Sequence, residues 1–95
     1  MAKKADPDAA MVQARLSHNL RRLMEEDGRT ADKLEAAASV SQKTVWKIES
    51  GRGLPSIMTL LRLCSALGCT PNEMLEGCDD LVFSRRMWRV GRAVD

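Results

Sequence analysis

The sequence predicts an all-α protein: a compact bundle of five helices followed by a short C-terminal extension. Three observations predict it. Apolar residues recur at spacings of three and four along most of the chain. Serine, threonine, proline and glycine fall where helices would start and stop. And 95 residues allow one domain and little more. With one Phe, two Trp and no Tyr, the core must come from Leu, Val, Ile, Met and Ala. No β-strand is essential to this reading. Residues 1–8 are expected to be a flexible tail, 9–77 the folded domain, and 78–95 an extension.

The tail is rich in Ala, Lys, Asp and Pro and has no period; Lys3 and Lys4 are its cations. The first helix is expected from about Asp8 or Ala9 to Glu26, with Val12, Leu16, Leu20, Leu23 and Met24 on one face. Asp27-Gly28 marks a turn. The second helix spans Ala31 to Ala38, with Thr30 as N-cap and Leu34, Ala37 and Ala38 as its buried face. At about eight residues it cannot stand alone. A three-residue connection, Ser39-Val40-Ser41, leads into a third helix that runs to about Ser50 and is ended by Gly51. A fourth starts after Ser56, with a stripe of Ile57, Leu60, Leu61, Cys64 and Leu67, and stops at Gly68. Thr70-Pro71-Asn72-Glu73 has the form of a capping box with proline at the first helical position, opening a fifth helix that Gly77 ends. In the extension, Phe83, Met87, Val90 and Val94 suit a further helix or a dimerisation segment, although Leu81-Val82-Phe83 also suits a short strand.

The formal net charge of +2 is too small to identify a partner by itself. Three cysteines, at 64, 69 and 78, fit no zinc spacing, and the single histidine, His18, is distant in sequence. No metal or cofactor is expected. An odd number of cysteines and no secretion signal in Met1–Lys4 suggest reduced thiols and a cytoplasmic protein. No apolar run is long enough for a membrane span.

The third helix has the most informative surface. At about 100° per residue, with Val45 at 0°, Ile48 falls near 300° and Thr44 near 260°, defining an inward side. Lys43, Trp46, Lys47 and Ser50 then lie between about 100° and 200°. Gln42 sits at the edge of that face, near the N-terminus. One face thus offers an amide, two ammonium groups, an indole and a hydroxyl, with no acid. Gln can pair with adenine and Lys can donate to guanine in the major groove. The helix N-terminus adds partial positive charge, and Arg52 lies just beyond the helix.

A helix, a three-residue turn and a second helix with an exposed polar face make the helix-turn-helix arrangement. From Leu20 to Leu75 the chain resembles the lambda-repressor and Cro type (XRE-like) of helix-turn-helix domain. The carrying residues are Leu20-Arg21-Arg22-Leu23, Thr30 with Leu34, Val40-Ser41 with Thr44-Val45, and Ile48-Glu49 with Gly51. Pro55-Ser56 and the run Leu60-Leu61, Leu63-Cys64, Ala66-Leu67-Gly68 complete the ordered set. The resemblance implies a lambda-repressor-like bundle that binds double-stranded DNA. It implies base contacts from Gln42, Lys43, Trp46 and Lys47, and phosphate contacts from Thr30, Ser50 and Arg52. Ser41 and Thr44 are further backbone-contact candidates.

The chain departs from the family pattern in four places. Glu35 stands where alanine is preferred, and Ser39 where glycine often supplies a left-handed turn. Ala31 replaces a phosphate-gripping glutamine. Met24 replaces an arginine that often pairs with the acid at Glu49. The expected function is a transcriptional regulator, a repressor that inserts helix 41–50 into the major groove of an operator as a homodimer. The alternative is an antitoxin or protein-interaction module that uses the same fold to bind a partner protein. No Ser/His/Asp set, paired acid site or phosphate-cradling loop points to an enzyme.

Overall fold

A computed structural model of the chain describes residues 6–79. Among them it is all-helical, with α1 Pro7–Asp27, α2 Ala31–Ala38, α3 Gln42–Glu49, α4 Ile57–Leu67 and α5 Pro71–Met74. The five-helix bundle follows the sequence expectation. Residues 1–5 of the expected tail, and the expected extension beyond Asp79, lie outside the described residues.

Local chemistry sets the helix boundaries. α1 starts earlier than its apolar period suggests, because Asp6 caps it. The Asp6 carboxylate accepts from the backbone N–H groups of Asp8 at 3.0 Å and Ala9 at 3.4 Å, and Pro7 stands at the first helical position. Asp8, expected in the tail or at the helix start, is buried. Gly28 ends α1 with φ +74. Ser41 and Ser56 cap α3 and α4 by accepting from the N–H groups of Thr44 and Thr59, each at 3.1 Å. The capping box at Thr70 and Glu73 is formed in both directions. α5 is a single turn that closes at Leu75, two residues before Gly77.

Ser39, at the end of α2, has φ +57, the one non-glycine residue with positive φ among those described. Its hydroxymethyl group therefore sits in the region that glycine occupies more easily.

Three helices meet in the core through Leu16, Leu20 and Leu23 of α1, Leu34 of α2, and Leu63 and Cys64 of α4. Val45, Ile48 and Met74 add α3 and α5. Four apolar residues expected inside are not buried. Val12 is half-buried, Ala37 is exposed, and Ile57 and Leu61 are 73% and 45% exposed. On α2 the inner face is Ala31, Leu34 and Ala38. On α4 Leu63 takes the place expected of Leu61, because the helix docks through Leu60, Leu63, Cys64 and Leu67.

Polar groups also tie the ends of the bundle. Asn19, fully buried on α1, donates to the carbonyls of Met74 and Glu76, each at 2.9 Å. The Arg15 guanidinium donates to the Glu76 carbonyl at 3.0 Å. These bonds replace the helix continuation that α5 lacks. At Gly77, φ is +86, which strains any other residue, and an added Cβ would lie 2.6 Å from Arg15 Nε, so the guanidinium would have to move aside.

Burial pushes the Cys64 thiol up from 9.0 to about 12. Cys69, half-buried beside it, is raised by the same cause. All three cysteines are free thiols.

Two measurements check this account. Ser39→Gly relieves the left-handed strain and is expected to raise stability by about 0.5–1 kcal/mol, seen as a higher urea midpoint with an unchanged slope. Cys64 is neutral in the fold and ionises more easily when unfolded, so its contribution is present below pH 9 and lost as pH climbs towards 12. The stability gap between the natural chain and Cys64→Ala should therefore narrow between about pH 8 and about pH 10.5 in urea titrations.

Candidate nucleic-acid interface

α3 has eight residues, too few to hold a helical conformation unaided. Its inner side supplies the anchor: Val45 is fully buried and Ile48 is 2% exposed. Thr44, expected on that inner side, is half-buried, and its hydroxyl pairs with Ser41 Oγ at 2.8 Å. The C-terminal end is fastened from α1. The Glu49 carbonyl accepts from the Ser17 hydroxyl and, at 3.0 Å, from Arg21 Nε. Sequence reasoning did not identify Ser17 or Arg21 in this role. Their spacing of four on α1 was visible, but nothing in it reveals a carbonyl from another helix.

Beyond the anchor, Lys43, Trp46, Lys47 and Ser50 are exposed, and Gln42 is half-buried at the N-terminal end. Trp46 is 53% exposed. The chain then folds back: the N–H of Arg52 donates to the Lys47 carbonyl at 2.9 Å, and Gly51 has φ +77. Arg52 Nε donates to Ser50 Oγ at 3.1 Å, and Ser50 Oγ donates to the Lys47 carbonyl at 3.0 Å. This chain of bonds sets the Arg52 guanidinium beside the C-terminal end of α3. A shallow open depression is lined by Lys43, Trp46, Lys47 and Arg52. It contains three cations, an indole and no acid.

A second open groove lies on the other side of Trp46, lined by Arg21, Met24, Glu25, Arg29, Thr30, Ala31, Trp46 and Glu49. Thr30 therefore belongs to the same surface as α3. Its hydroxyl does not cap α2, however; it donates to the Asp32 carboxylate. That bond holds Asp32 below its usual range. The first turn of α2 thus carries a carboxylate beside the hydroxyl expected to meet phosphate. Ser41 and Thr44 are likewise engaged with each other at the start of α3.

The departures from the family pattern have visible consequences. Met24 is buried at the groove, and the α1 contact to Glu49 runs from Arg21 to its backbone carbonyl. Glu35 is exposed, so its larger side chain does not crowd the α2–α3 packing.

Among the described residues no group of His, Cys, Asp and Glu could hold a metal ion. No described helix is long and apolar enough to cross a membrane.

Loss of the Ser41 cap should be measurable. Ser41→Ala leaves an N–H of α3 without its acceptor and is expected to cost about 1 kcal/mol in urea unfolding.

Comparison with known proteins agrees with this architecture. A helix-turn-helix domain family model matches residues 15–76. The chain is 35% identical over 68 residues to the uncharacterized HTH-type transcriptional regulator y4dJ of Sinorhizobium fredii, covering 72% of this chain and 88% of that protein. It is also 35% identical over 65 residues to the HTH-type transcriptional regulator DdrOP3 of Deinococcus deserti, covering 68% of this chain and 50% of that protein. No solved structure matches the chain. With the α2–turn–α3 unit in place and the family match extending from α1 past α5, the chain belongs to the helix-turn-helix domain family, of the XRE-like kind.

Proposed function

We propose that the protein is a sequence-specific DNA-binding transcriptional regulator, acting as a repressor that lays α3 in the major groove of an operator as a homodimer. The observation that carries this reading is the acid-free outer side of α3, with Lys43, Trp46, Lys47 and Arg52 around one depression. The regulator names of both relatives support it.

Roles follow from position. Gln42 stands at the N-terminal end of α3, the part of a recognition helix that meets base edges. Lys43 and Lys47 project ammonium groups one turn apart, suited to guanine O6 and N7 or to phosphate. Trp46 offers an apolar face to a thymine methyl or a sugar. Arg52 and Ser50 sit where the strand backbone would pass, with Thr30, Ser41 and Thr44 contributing dipoles around it. A homodimer would present two such helices to half-sites about 34 Å apart. The protein would work in the cytoplasm, where the DNA lies.

A second reading is favoured by one observation, the exposed Trp46. The same surface would then bind a partner protein, as in an antitoxin or interaction module. Salt separates the two. Affinity for duplex DNA falls steeply as salt rises, whereas a protein-only module binds no duplex even at low salt.

Selection of bound sequences from a random duplex pool tests the main reading, with a palindromic motif expected. On the recovered site Lys47→Ala should lose about 1–3 kcal/mol if Lys47 reads a base, with a smaller loss on random DNA. Binding that is unchanged on both would reject the proposed face.

A further inference from the structure

α4 ends in a Schellman motif, and the motif brings two thiols together. Gly68, with φ +70, turns the chain out of the helix. The Cys69 N–H donates to the Cys64 carbonyl at 3.0 Å, and the Gly68 N–H donates to the Ser65 carbonyl at 3.3 Å. In this motif the side chains at the two ends of the longer bond pack on one another. Here both are cysteine. Standard bond lengths around a 3.0 Å hydrogen bond keep the two Cα atoms within about 7 Å, the reach of a disulfide. The two thiols also hydrogen-bond to each other.

We propose that Cys64 and Cys69 form a site of reversible oxidation, which closes to an internal disulfide when a small neutral or cationic disulfide reaches Cys69 in the folded chain. The proposal does not depend on the DNA reading.

Access decides the order of events. Cys64 is 3% exposed and meets no reagent directly. Cys69 is half-buried and lines an open groove between the C-terminal end of α1 and the turn that joins α4 to α5. Three residues lining that groove, Glu26, Asp27 and Glu73, are acids and none is a base. Such a groove suits a neutral or cationic reagent better than an anionic one. The third thiol, Cys78, is buried, with Arg15 and Asp79 as its charged neighbours.

The exchange takes two steps. The Cys69 thiolate attacks one sulfur of the reagent, whose S–S bond breaks, and the departing thiolate takes up a proton. The Cys64 thiolate then attacks the Cys69 sulfur of the mixed disulfide and expels the second reagent thiolate, which is protonated in turn. Two protein thiols are oxidised to one disulfide, one reagent disulfide is reduced to two thiols, and two protons pass to the reagent. Excess small thiol reverses both steps.

Burial raises both thiols above their usual range, Cys64 to about 12. The pair therefore carries little thiolate at neutral pH and reacts slowly. A dithiol whose thiolates are not stabilised also favours the closed form at equilibrium. Closure joins the end of α4 to the start of α5, which Asn19 already holds to α1 from beyond its other end. Because the fold has brought the two cysteines together, folding and closure favour each other by the same factor.

Equilibration of the full chain with cysteamine and its disulfide, cystamine, tests the proposal by mass spectrometry after acid quenching. At mildly alkaline pH the folded chain is expected to lose two hydrogens and retain no cysteamine. Peptide mapping should join Cys64 to Cys69 and leave Cys78 a free thiol. In concentrated urea the equilibrium constant for closure should fall at least about tenfold, and the oxidised chain should unfold at a higher urea midpoint than the reduced one. Cys69→Ser, a near-isosteric change at a half-buried position, should fold and form no internal disulfide. A folded chain that stays unmodified overturns the proposal, and so does one that keeps cysteamine on Cys69 without closing. A link through Cys78, or closure no more favourable in the folded chain than in urea, overturns it as well.

Discussion

An eight-residue helix does not persist in water, and the chain contains two of them in succession. The proposed binding surface therefore exists only because α3 is held from outside itself. Val45 and Ile48 sink one side into the core, Ser41 fixes the first turn, and Ser17 and Arg21 hold the carbonyl of Glu49 at the last. These anchors come from different elements. A fault in α1 packing would consequently loosen α3. That coupling also explains why the longest helix contributes three of the core leucines, since it is the scaffold against which the short helices are stabilised.

Much of this was legible in the sequence. Caps are written locally: a serine or threonine side chain reaches an N–H two or three residues away, so Ser41, Ser56 and the Thr70–Glu73 box could be placed without knowing the fold. The outward group on α3 was legible because Val45 and Ile48 fix the rotation of so short a helix. The apolar side of α4 was not. Its sequence has apolar residues over most of its circumference, so periodicity alone could not choose between Leu61 and Leu63; only docking against α1 and α2 decides. Asp6 and Asp8 were hidden for another reason. A capping aspartate in a polar segment looks like tail until the helix behind it is known to begin at Pro7. The tertiary bonds from Arg15, Ser17, Asn19 and Arg21 to distant carbonyls have no local signature at all.

Electrostatics sharpens what the small net charge left open. The cations near α3 are grouped without an intervening acid, whereas the start of α2 carries Asp32, hydrogen-bonded by Thr30 and so kept ionised. A phosphate approaching the N-terminus of α2 would gain from the helix dipole but would meet that carboxylate. Under the proposed function, the attraction for a phosphate backbone would be concentrated on the Lys43, Lys47 and Arg52 side. Phosphate contacts would therefore lean towards α3 under the same reading, in keeping with alanine in place of glutamine at position 31.

Trp46 adds a constraint of a different kind. Its neighbours Val45 and Ile48 already anchor the helix, so the indole is not needed to hold α3 in place, yet it stands half in water between two grooves. Large apolar surface left in water is unfavourable unless a ligand covers it. Under the proposed function, covering the indole supplies an apolar gain that does not weaken with salt, alongside contacts from Lys43 and Lys47 that do. The two contributions separate cleanly by residue, because the same turn of α3 carries both. Residual affinity at high salt would then belong to the indole and to base-edge contacts, while the steep part of the salt dependence would belong to the cations around it.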